Sequence, residues 1–277
     1  MMQYGDDATK DYIRRHGRKS NQRSLLTKML TGDPATGVEP LTDAEISVEV
    51  SNLIFAATDT TGNTITYALY ELCCNPEWQK KLREEIRASG AMEAGFSYQS
   101  VQSLPVLNGV FTETLRLHPA APSALPRITT GNGCRIGDLD VPGGVINLHA
   151  FPFPVLTPVV RNDSIQTLVS MQPFTVQRDP KYFPDPDRFS PERWISDGEI
   201  EYGSPDVREM MIPWGKGPRT CVGQHMATME SKIALARIIA EFEVQLVGEK
   251  THDEMVMTDH FTLIPKGQRC GLIFHEV

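Results

Sequence analysis

The spacing of apolar residues along the chain predicts a protein built mainly from α-helices with small β-sheets. The longest predicted helix covers residues 42–74. A capping box formed by Thr42 and Glu45 opens it, and the Asn-Pro pair after position 74 ends it. The other predicted elements are helices over 7–31, 76–89, 106–117 and 222–242, and short strands over 134–145, 244–247 and 261–267.

The middle of the long helix breaks the apolar pattern. Residues 55–64 are mostly polar, although both flanks are apolar. Threonine and aspartate are weak helix formers because their side chains compete for backbone partners. Two interpretations stand: a solvent-facing stripe, or a local distortion of the helix beside a cavity. In the second, the Asp59 carboxylate and the Thr60 hydroxyl are able to move protons.

A glycine-rich loop over 211–223 carries one cysteine and leads into the last long helix. Gly215 and Gly223 let the backbone approach a flat partner closely. Cys221 lies at the predicted helix start, where the helix dipole favours a thiolate. Arg219, two residues earlier, supplies a positive charge suited to a carboxylate. A thiolate beside an arginine is a donor pair that suits haem.

The same cysteine is compatible with roles that do not involve haem. Cys221 could be an inert buried thiol, or could share a zinc ion with His225, although two ligands do not complete a zinc site. A cysteine nucleophile assisted by His225 is a further, weaker alternative. The sequence 215–217 is not a phosphate-binding loop, because no serine or threonine follows its lysine.

Composition sets broad limits on function. The 277 residues include 40% hydrophobic ones, enough for a sizeable core, and the net charge of −8 argues against general nucleic-acid binding. Five cysteines without paired spacing indicate a reducing compartment. No apolar stretch is long enough for a membrane span, and the amino terminus does not resemble a signal peptide.

The cysteine loop resembles the haem-binding signature of the cytochrome P-450 family, an aromatic residue followed by Gly-x-Gly-x-Arg-x-Cys-x-Gly. Trp214 stands where phenylalanine is more usual. The resemblance implies that Cys221 is the axial ligand of haem iron and that Arg219 binds a haem propionate. It also implies that Trp214, Gly215 and Gly223 shape the cofactor site.

The polar stretch of the long helix resembles the oxygen-activation motif of the same family, with alanine at position 57 where glycine is common. By that resemblance Thr60 steadies dioxygen and Asp59 relays protons. Arg127 falls where the family often has a second propionate contact.

The helix over 106–117 carries Glu113 and Arg116 one turn apart. In the family this Glu-x-x-Arg pair is completed by an arginine from a later Pro-Glu-Arg segment, here Arg193. The resemblance therefore predicts one buried structural network of these three residues.

The resemblance covers essentially the whole chain, as the carboxy-terminal portion of a cytochrome P-450 domain of fungal type, with the amino-terminal part missing. Residues 146–167 do not fit the family's compact pattern. We interpret them as an insertion, either translated intron or another gene-model error. Sequencing of the spliced transcript decides this, because a segment retained in most copies contradicts it.

The implied function is a haem-dependent monooxygenase acting on an apolar substrate in secondary, lipid or xenobiotic metabolism. Its cofactor is haem b, with electrons from NADPH through a flavoprotein reductase that docks near Lys216 and the basic residues 80–83. A full-length form is expected at the cytosolic face of the endoplasmic reticulum membrane, anchored through a missing amino-terminal segment. The alternative is a truncated, non-catalytic remnant that cannot form a stable haem pocket.

Overall fold

The computed structural model describes the whole chain except residues 1, 129–133, 137–138, 142–147, 150–167, 197–198 and 201–202. The predicted fold class is confirmed, since the described residues form helices and small sheets that are mostly antiparallel. The chain divides into two compact units, residues 1–62 and 63–277.

The helices are α1 Met2–His16, α2 Leu25–Thr31, α3 Asp43–Cys74, α4 Pro76–Ala88, α5 Tyr98–Val101, α6 Pro105–Leu117, α7 Pro173–Val176, α8 Pro205–Met210, α9 Gln224–Glu241 and α10 Lys250–Glu254. The strands are β1 Leu125–Ile128, β2 Cys134–Ile136, β3 Leu139–Val141, β4 Leu148–His149, β5 Leu168–Met171, β6 Ile195–Ser196, β7 Glu199–Ile200, β8 Phe242–Leu246, β9 Met257–His260, β10 Thr262–Pro265 and β11 Leu272–Glu276.

The first unit has its own small core. Leu30 of α2 packs with Ile46 and Val50 of α3, and apolar side chains of α1 cover this cluster. At the start of α3 the predicted capping box is present. The backbone N–H of Thr42 donates to Glu45 Oε2 at 2.8 Å, and the N–H of Glu45 donates to Thr42 Oγ1 at 3.3 Å. The sequence pattern therefore located this helix end to within one residue.

The core of the second unit lies between the end of α3 and the helices α4, α6 and α9. Leu82, Leu107 and Leu235, one from each of the last three helices, are completely buried. Burying a leucine side chain stabilises a fold by about 2 kcal/mol. These helices therefore form the core that supports the loops of this unit.

Polar side chains fasten α4 to the end of α9. Arg83 donates from Nε to the carbonyl of Ile239 at 3.0 Å and from Nη2 to that of Phe242 at 2.9 Å. These bonds satisfy carbonyl groups that a helix end leaves without a partner inside the helix. Gln79 bonds both the N–H and the C=O of Val244, so α4 also covers part of β8.

The small sheets arrange the loops around this helical body. β5 pairs antiparallel with β1 and parallel with β4. The remaining pairs, all antiparallel, are β2 with β3, β6 with β7, β8 with β11 and β9 with β10. The suspected insertion over 146–167 lies outside the described residues, apart from the two residues of β4.

A buried histidine links α6 to α3. His118, just after α6, lies 2.7 Å through Nε2 from Glu71 Oε1 of α3 and stacks on the Tyr67 ring at 4.3 Å between centroids. Burial lowers the pKa of His118 below its usual 6.5, and the nearby Arg178 and Arg116 act in the same direction. The hydrogen bond and charge of Glu71 oppose this shift without overcoming it. His118 is therefore harder to protonate in the folded chain than in the unfolded one.

From this shift we predict an acid-sensitive fold. As pH falls below about 6.5, the unfolded chain takes up the His118 proton more readily than the folded chain, so the free energy of unfolding decreases. Replacing His118 by glutamine removes this contribution. In urea titrations at about pH 7 and pH 5, the variant should lose less stability on acidification than the original chain.

The control is His275→Gln, at an exposed position in β11. It makes the same replacement at the surface, so it separates the effect of burial from that of the substitution itself. If His118→Gln and the original chain lose the same stability between the two pH values, the proposed role of His118 is wrong.

Candidate functional site

The shape of the cysteine loop is set by its own backbone. Gly215 and Gly217 adopt φ values of 69° and 75°, which side-chain-bearing residues rarely adopt. The N–H of Cys221 donates to the carbonyl of Trp214 at 2.9 Å and closes the loop. A turn of 3₁₀-helix, Gly217–Arg219, lies between Trp214 and Cys221. The glycines therefore permit a tight loop that returns the chain to the start of α9.

The loop places its thiol and its guanidinium at the surface. Cys221 and Arg219 are both exposed, so the interpretation of Cys221 as a buried, inert thiol is wrong. A Cβ atom at Gly223 would lie 3.8 Å from the Cys221 sulfur, an ordinary van der Waals distance. α9 begins at Gln224, two residues later than predicted, with Gly223 as its N-cap. The thiol thus lies three residues before the first residue of the helix, rather than directly before it.

An exposed apolar strip continues from the cysteine. Val222 is 85% exposed, Met226 45% and Met229 36%. Positions three residues apart share a face of a helix, so Met226 and Met229 lie on one side of α9, and Val222 precedes that helix by two residues. Apolar side chains grouped at a surface indicate a partner that covers them. Thiol, guanidinium and apolar strip together fit a flat apolar group that carries a metal and carboxylates, as haem does.

Arg127 lies against this loop. It is exposed at the third position of β1, and its Nη2 atom is 3.4 Å from the carbonyl oxygen of Lys216. Its Nη1 atom donates to the carbonyl of Pro126 at 2.8 Å. Two cationic side chains, Arg127 and Arg219, are therefore presented by the second unit at or beside the cysteine loop.

Asp59 and Thr60 belong to the first unit, on α3. The expected distortion of the helix at residues 55–64 is wrong, because α3 is an unbroken α-helix there. The Thr60 hydroxyl donates to the carbonyl of Ala56 at 2.5 Å, and that of Thr58 to the carbonyl of Ile54 at 2.7 Å. These hydroxyls are satisfied within the helix, so they do not break it.

Glu113 and Arg116 form a completely buried ion pair. Arg116 donates from Nε to Glu113 Oε2 at 2.9 Å and from Nη2 to Oε1 at 2.8 Å, and both side chains have no exposed area. Arg116 also donates to the backbone carbonyls of Gln177, Pro186 and Arg188. A buried charge pair is tolerated only where the remaining donors and acceptors are also satisfied, and here they are.

Arg193 contacts Glu113 more loosely than the predicted network of three residues implies. Its Nε atom is 3.4 Å from Glu113 Oε1 but makes no hydrogen bond among the described residues. The closer partners of Glu113 are the N–H of Ser190 at 2.9 Å and the indole N–H of Trp194 at 2.8 Å. Sequence reasoning missed Trp194, although it directly follows the Pro-Glu-Arg segment.

Gln177 connects the buried pair to the cysteine loop. Its side-chain N–H group donates to the carbonyls of Leu115 and Arg116 at the end of α6, each at 3.0 Å. Its side-chain oxygen accepts from the N–H of Ile212, also at 3.0 Å. Gln177 has no exposed area. Sequence reasoning also missed this residue, because an isolated glutamine carries no motif signal.

The zinc and cysteine-nucleophile alternatives gain no support from the geometry. Within the described ranges, no group of three or more histidine, cysteine, aspartate or glutamate side chains is arranged to hold a metal ion. His225 and Cys221 are both exposed. The described part of the chain shows no hydrogen bond between them.

Comparison with known proteins gives consistent matches. A sequence model described as Cytochrome P-450 matches residues 2–148 and 165–271. The cytochrome P-450 monooxygenase tazI of Aspergillus terreus is 36% identical over 233 residues, which cover 83% of this chain and 42% of tazI.

Two more relatives agree with these matches. The cytochrome P-450 monooxygenase stcF of Emericella nidulans is 31% identical to this chain over 233 residues, which cover 84% of this chain and 43% of stcF. Cytochrome P-450 3A31 of Mesocricetus auratus is 35% identical to this chain over 205 residues, which cover 74% of this chain and 35% of that relative. The chain spans less than half the length of these curated relatives.

From the buried pair we predict a large loss of stability on removal of one charge. Glu113→Gln leaves Arg116 as an uncompensated buried charge and should lower the free energy of unfolding by about 3–5 kcal/mol. Urea denaturation followed by circular dichroism measures the loss.

The matched control is Glu192→Gln, which breaks an exposed pair with Arg188 at 3.2 Å. Exposed pairs contribute about 1 kcal/mol or less. Equal losses in the two variants would contradict the structural role assigned to Glu113.

Proposed function

This chain belongs to the cytochrome P-450 family, and on that premise we propose that it forms the haem-thiolate part of a monooxygenase. The reaction inserts one atom of dioxygen into an apolar organic substrate. The observation that carries the proposal is the exposed Cys221 thiol between Arg219 and an exposed apolar strip at the head of α9. Relatives named as monooxygenases in fungi support the same reaction class.

The residues that would hold haem are those of the cysteine loop. Cys221 would bind the iron through its sulfur, while Arg219 and Arg127 would pair with the propionates, since guanidinium groups match carboxylates in charge and geometry. Gly215 and Gly223 would allow the macrocycle to lie close to the backbone, and Trp214 would complete the loop. Haem with a thiolate ligand supplies dioxygen activation, because the thiolate favours O–O cleavage.

Asp59 and Thr60 are assigned to proton delivery. A carboxyl group and a hydroxyl group on adjacent residues are able to exchange a proton through a hydrogen bond or one water. The Thr60 hydroxyl donates to the carbonyl of Ala56, and a hydroxyl oxygen carries two acceptor lone pairs. Asp59 would take protons from solvent and pass them on to Thr60, which would hold them near dioxygen.

Electrons would come from NADPH through a flavoprotein reductase, and the basic side chains named for its docking differ in their availability. Arg83 is largely committed to the backbone of α9 and β8, and Lys216 is paired with Glu209 at 2.6 Å. Lys80 and Lys81 lie on the exposed side of α4, where Lys80 is 3.9 Å from Glu84 and Lys81 lies over the Trp78 ring, so among the described residues neither is bound to the backbone or held in a short ion pair. We therefore place reductase docking mainly on α4. Reversing the charges of Lys80 and Lys81 without slowing reduction would refute this.

The membrane association remains part of the proposal. The described helices include none that is long and apolar enough to cross a bilayer. We propose that a full-length form acts at the cytosolic face of the endoplasmic reticulum.

The central prediction concerns Cys221. The chain reconstituted with haem, reduced and exposed to carbon monoxide should show the red-shifted Soret band that marks thiolate ligation. Cys221→Ala removes the sulfur ligand and should abolish that band. Absorption spectroscopy measures both results.

Cys74→Ser is the matched control, since it alters another exposed thiol. It should keep the red-shifted band. A chain that binds no haem supports the non-catalytic alternative, and a band that survives Cys221→Ala refutes the proposed ligand.

A further inference from the structure

Three cysteine thiols lie together where α3 ends. Cys73 and Cys74 are the last two residues of α3, and Cys270 lies between β10 and β11. All three are free thiols. Burial raises the pKa of Cys270 to about 11, and the charge of a Cys74 thiolate adds to this rise. Burial and then the charge of Cys270 likewise raise the pKa of Cys73. Shifts caused by a neighbouring charge require that the sulfurs lie near one another.

The packing of α3 turns Cys74 toward Cys270. Tyr70 lies one turn before Cys74, and residues four apart share a face of a helix. Tyr70 and Cys270 both pack against the buried cluster around Tyr67. The face of α3 that carries Cys74 is therefore the face that meets Cys270.

The two neighbouring thiols of α3 differ in their access to solvent. Cys73 is half-buried, and its thiol donates to the carbonyl of Val244 at 3.3 Å. Burial is the main reason that its pKa rises to about 12. Cys74 is exposed, so a small oxidant reaches it directly. Of these two thiols, Cys74 is therefore the one that is open to attack.

A hydrogen-bonded chain of side chains begins at Cys74. Burial, followed by the charge of Glu71, raises the pKa of Cys74, and a hydrogen bond with Tyr70 partly opposes this rise. The Tyr70 hydroxyl also lies 2.9 Å from Nδ1 of His252 on α10. In the tautomer where Nδ1 carries no proton, Tyr70 donates to it. Tyr70 is thus placed to accept the thiol proton while its own proton passes to His252.

We propose that Cys74 and Cys270 form a reversible disulfide when the chain meets hydrogen peroxide. The Cys74 thiolate attacks one oxygen of the peroxide, the O–O bond breaks, and a sulfenic acid and water result. The Cys270 thiol then attacks that sulfur, the S–O bond breaks, and the disulfide and a second water form. Two thiols thus lose two electrons to one peroxide. The bridge would tie the end of α3 to the segment that leads into β11.

The oxidation should accelerate as pH rises. Only the thiolate attacks peroxide, and the raised pKa of Cys74 keeps that form scarce near neutral pH. The carboxylates that act on the two sulfurs are Glu71 and Glu254, and both disfavour the thiolates. Arg269 is paired with Glu254, and His252 faces the first sulfur through a tyrosine. We expect the initial rate of bridge formation to rise about tenfold between pH 7 and pH 8.

The test maps the bridges of the oxidised chain. The folded, reduced chain is treated with hydrogen peroxide at about pH 8, its remaining thiols are alkylated, and tryptic peptides are identified by mass spectrometry without reduction. The expected product joins the peptide that begins at Cys270, after Arg269, to the peptide that contains Cys74. Dithiothreitol should release it. Absence of this link from the folded chain would overturn the proposal.

The matched control is Cys73→Ser, which removes the neighbouring thiol of α3. It should preserve the link, whereas Cys74→Ser and Cys270→Ser should each abolish it. A link that survives Cys74→Ser assigns the bridge to Cys73 and overturns the proposed pair. The same oxidation in concentrated urea should give mainly other pairings. If the folded and unfolded chains give the same distribution of links, the fold does not select the pair and the proposal fails.

A second variant tests the hydrogen-bonded chain without removing a thiol. Tyr70→Phe keeps the ring and deletes the hydroxyl, so the Cys74 thiolate loses a donor. The rate of link formation at pH 8 should fall about fivefold, the usual effect of one hydrogen bond. Circular dichroism of the reduced variant checks that it is folded. An unchanged rate would overturn the role assigned to Tyr70.

Discussion

The structure of the second unit depends on one ion pair, Glu113 with Arg116, that is buried away from water. Arg116 and Glu113 have no exposed area, and removing an ion from water costs several kcal/mol. The fold offsets this cost by giving both side chains hydrogen-bond partners at every donor of Arg116 and at both oxygens of Glu113. Arg116 meets one carboxylate and three backbone carbonyls, and Glu113 meets Arg116, a backbone N–H and an indole N–H. Each partner must be held in position for the pair to remain buried.

That requirement fixes the shape of an otherwise irregular stretch. The carbonyls of Gln177, Pro186 and Arg188 come from a segment with little regular secondary structure, and they point inward because Arg116 binds them. Gln177 then extends the same network to Ile212, at the entrance of the cysteine loop. The position of the loop is therefore determined partly by a charge on α6, through two hydrogen-bonded steps. The buried pair and the cysteine loop are mechanically connected in this way.

The elements that sequence could predict are those with local signals. The capping box at Thr42 and the Glu113–Arg116 spacing are short-range patterns, and both appear with the expected contacts. Trp194 and Gln177 were not identified because their partners lie 35 to 81 residues away in the sequence. The spacing of apolar residues along the sequence does not indicate contacts over such distances.

The error at α3 has a similar origin. The low helix propensity of threonine and aspartate predicted a distorted helix. The threonine hydroxyls instead donate to carbonyls four residues earlier, so they do not compete with the hydrogen bonds of the helix backbone. The loop glycines were predictable for the opposite reason. Positive φ is a local property of glycine, and Gly215 and Gly217 both adopt it. What sequence cannot supply is the burial of each side chain, as the exposed state of Cys221 shows.

Helix α9 is unevenly covered along its length. Leu235 and Ile239, in its second half, are completely buried, whereas Met226 and Met229 near its start are well exposed. The buried half needs no cofactor, because α4 and α6 already cover it. The exposed half gains stability only from a partner that binds the folded chain. A ligand that binds the native state alone raises stability in proportion to the logarithm of its concentration over its dissociation constant. Haem, if bound at the proposed site, would therefore add to the stability of this half alone, whereas the Glu113–Arg116 pair stabilises the fold in either case.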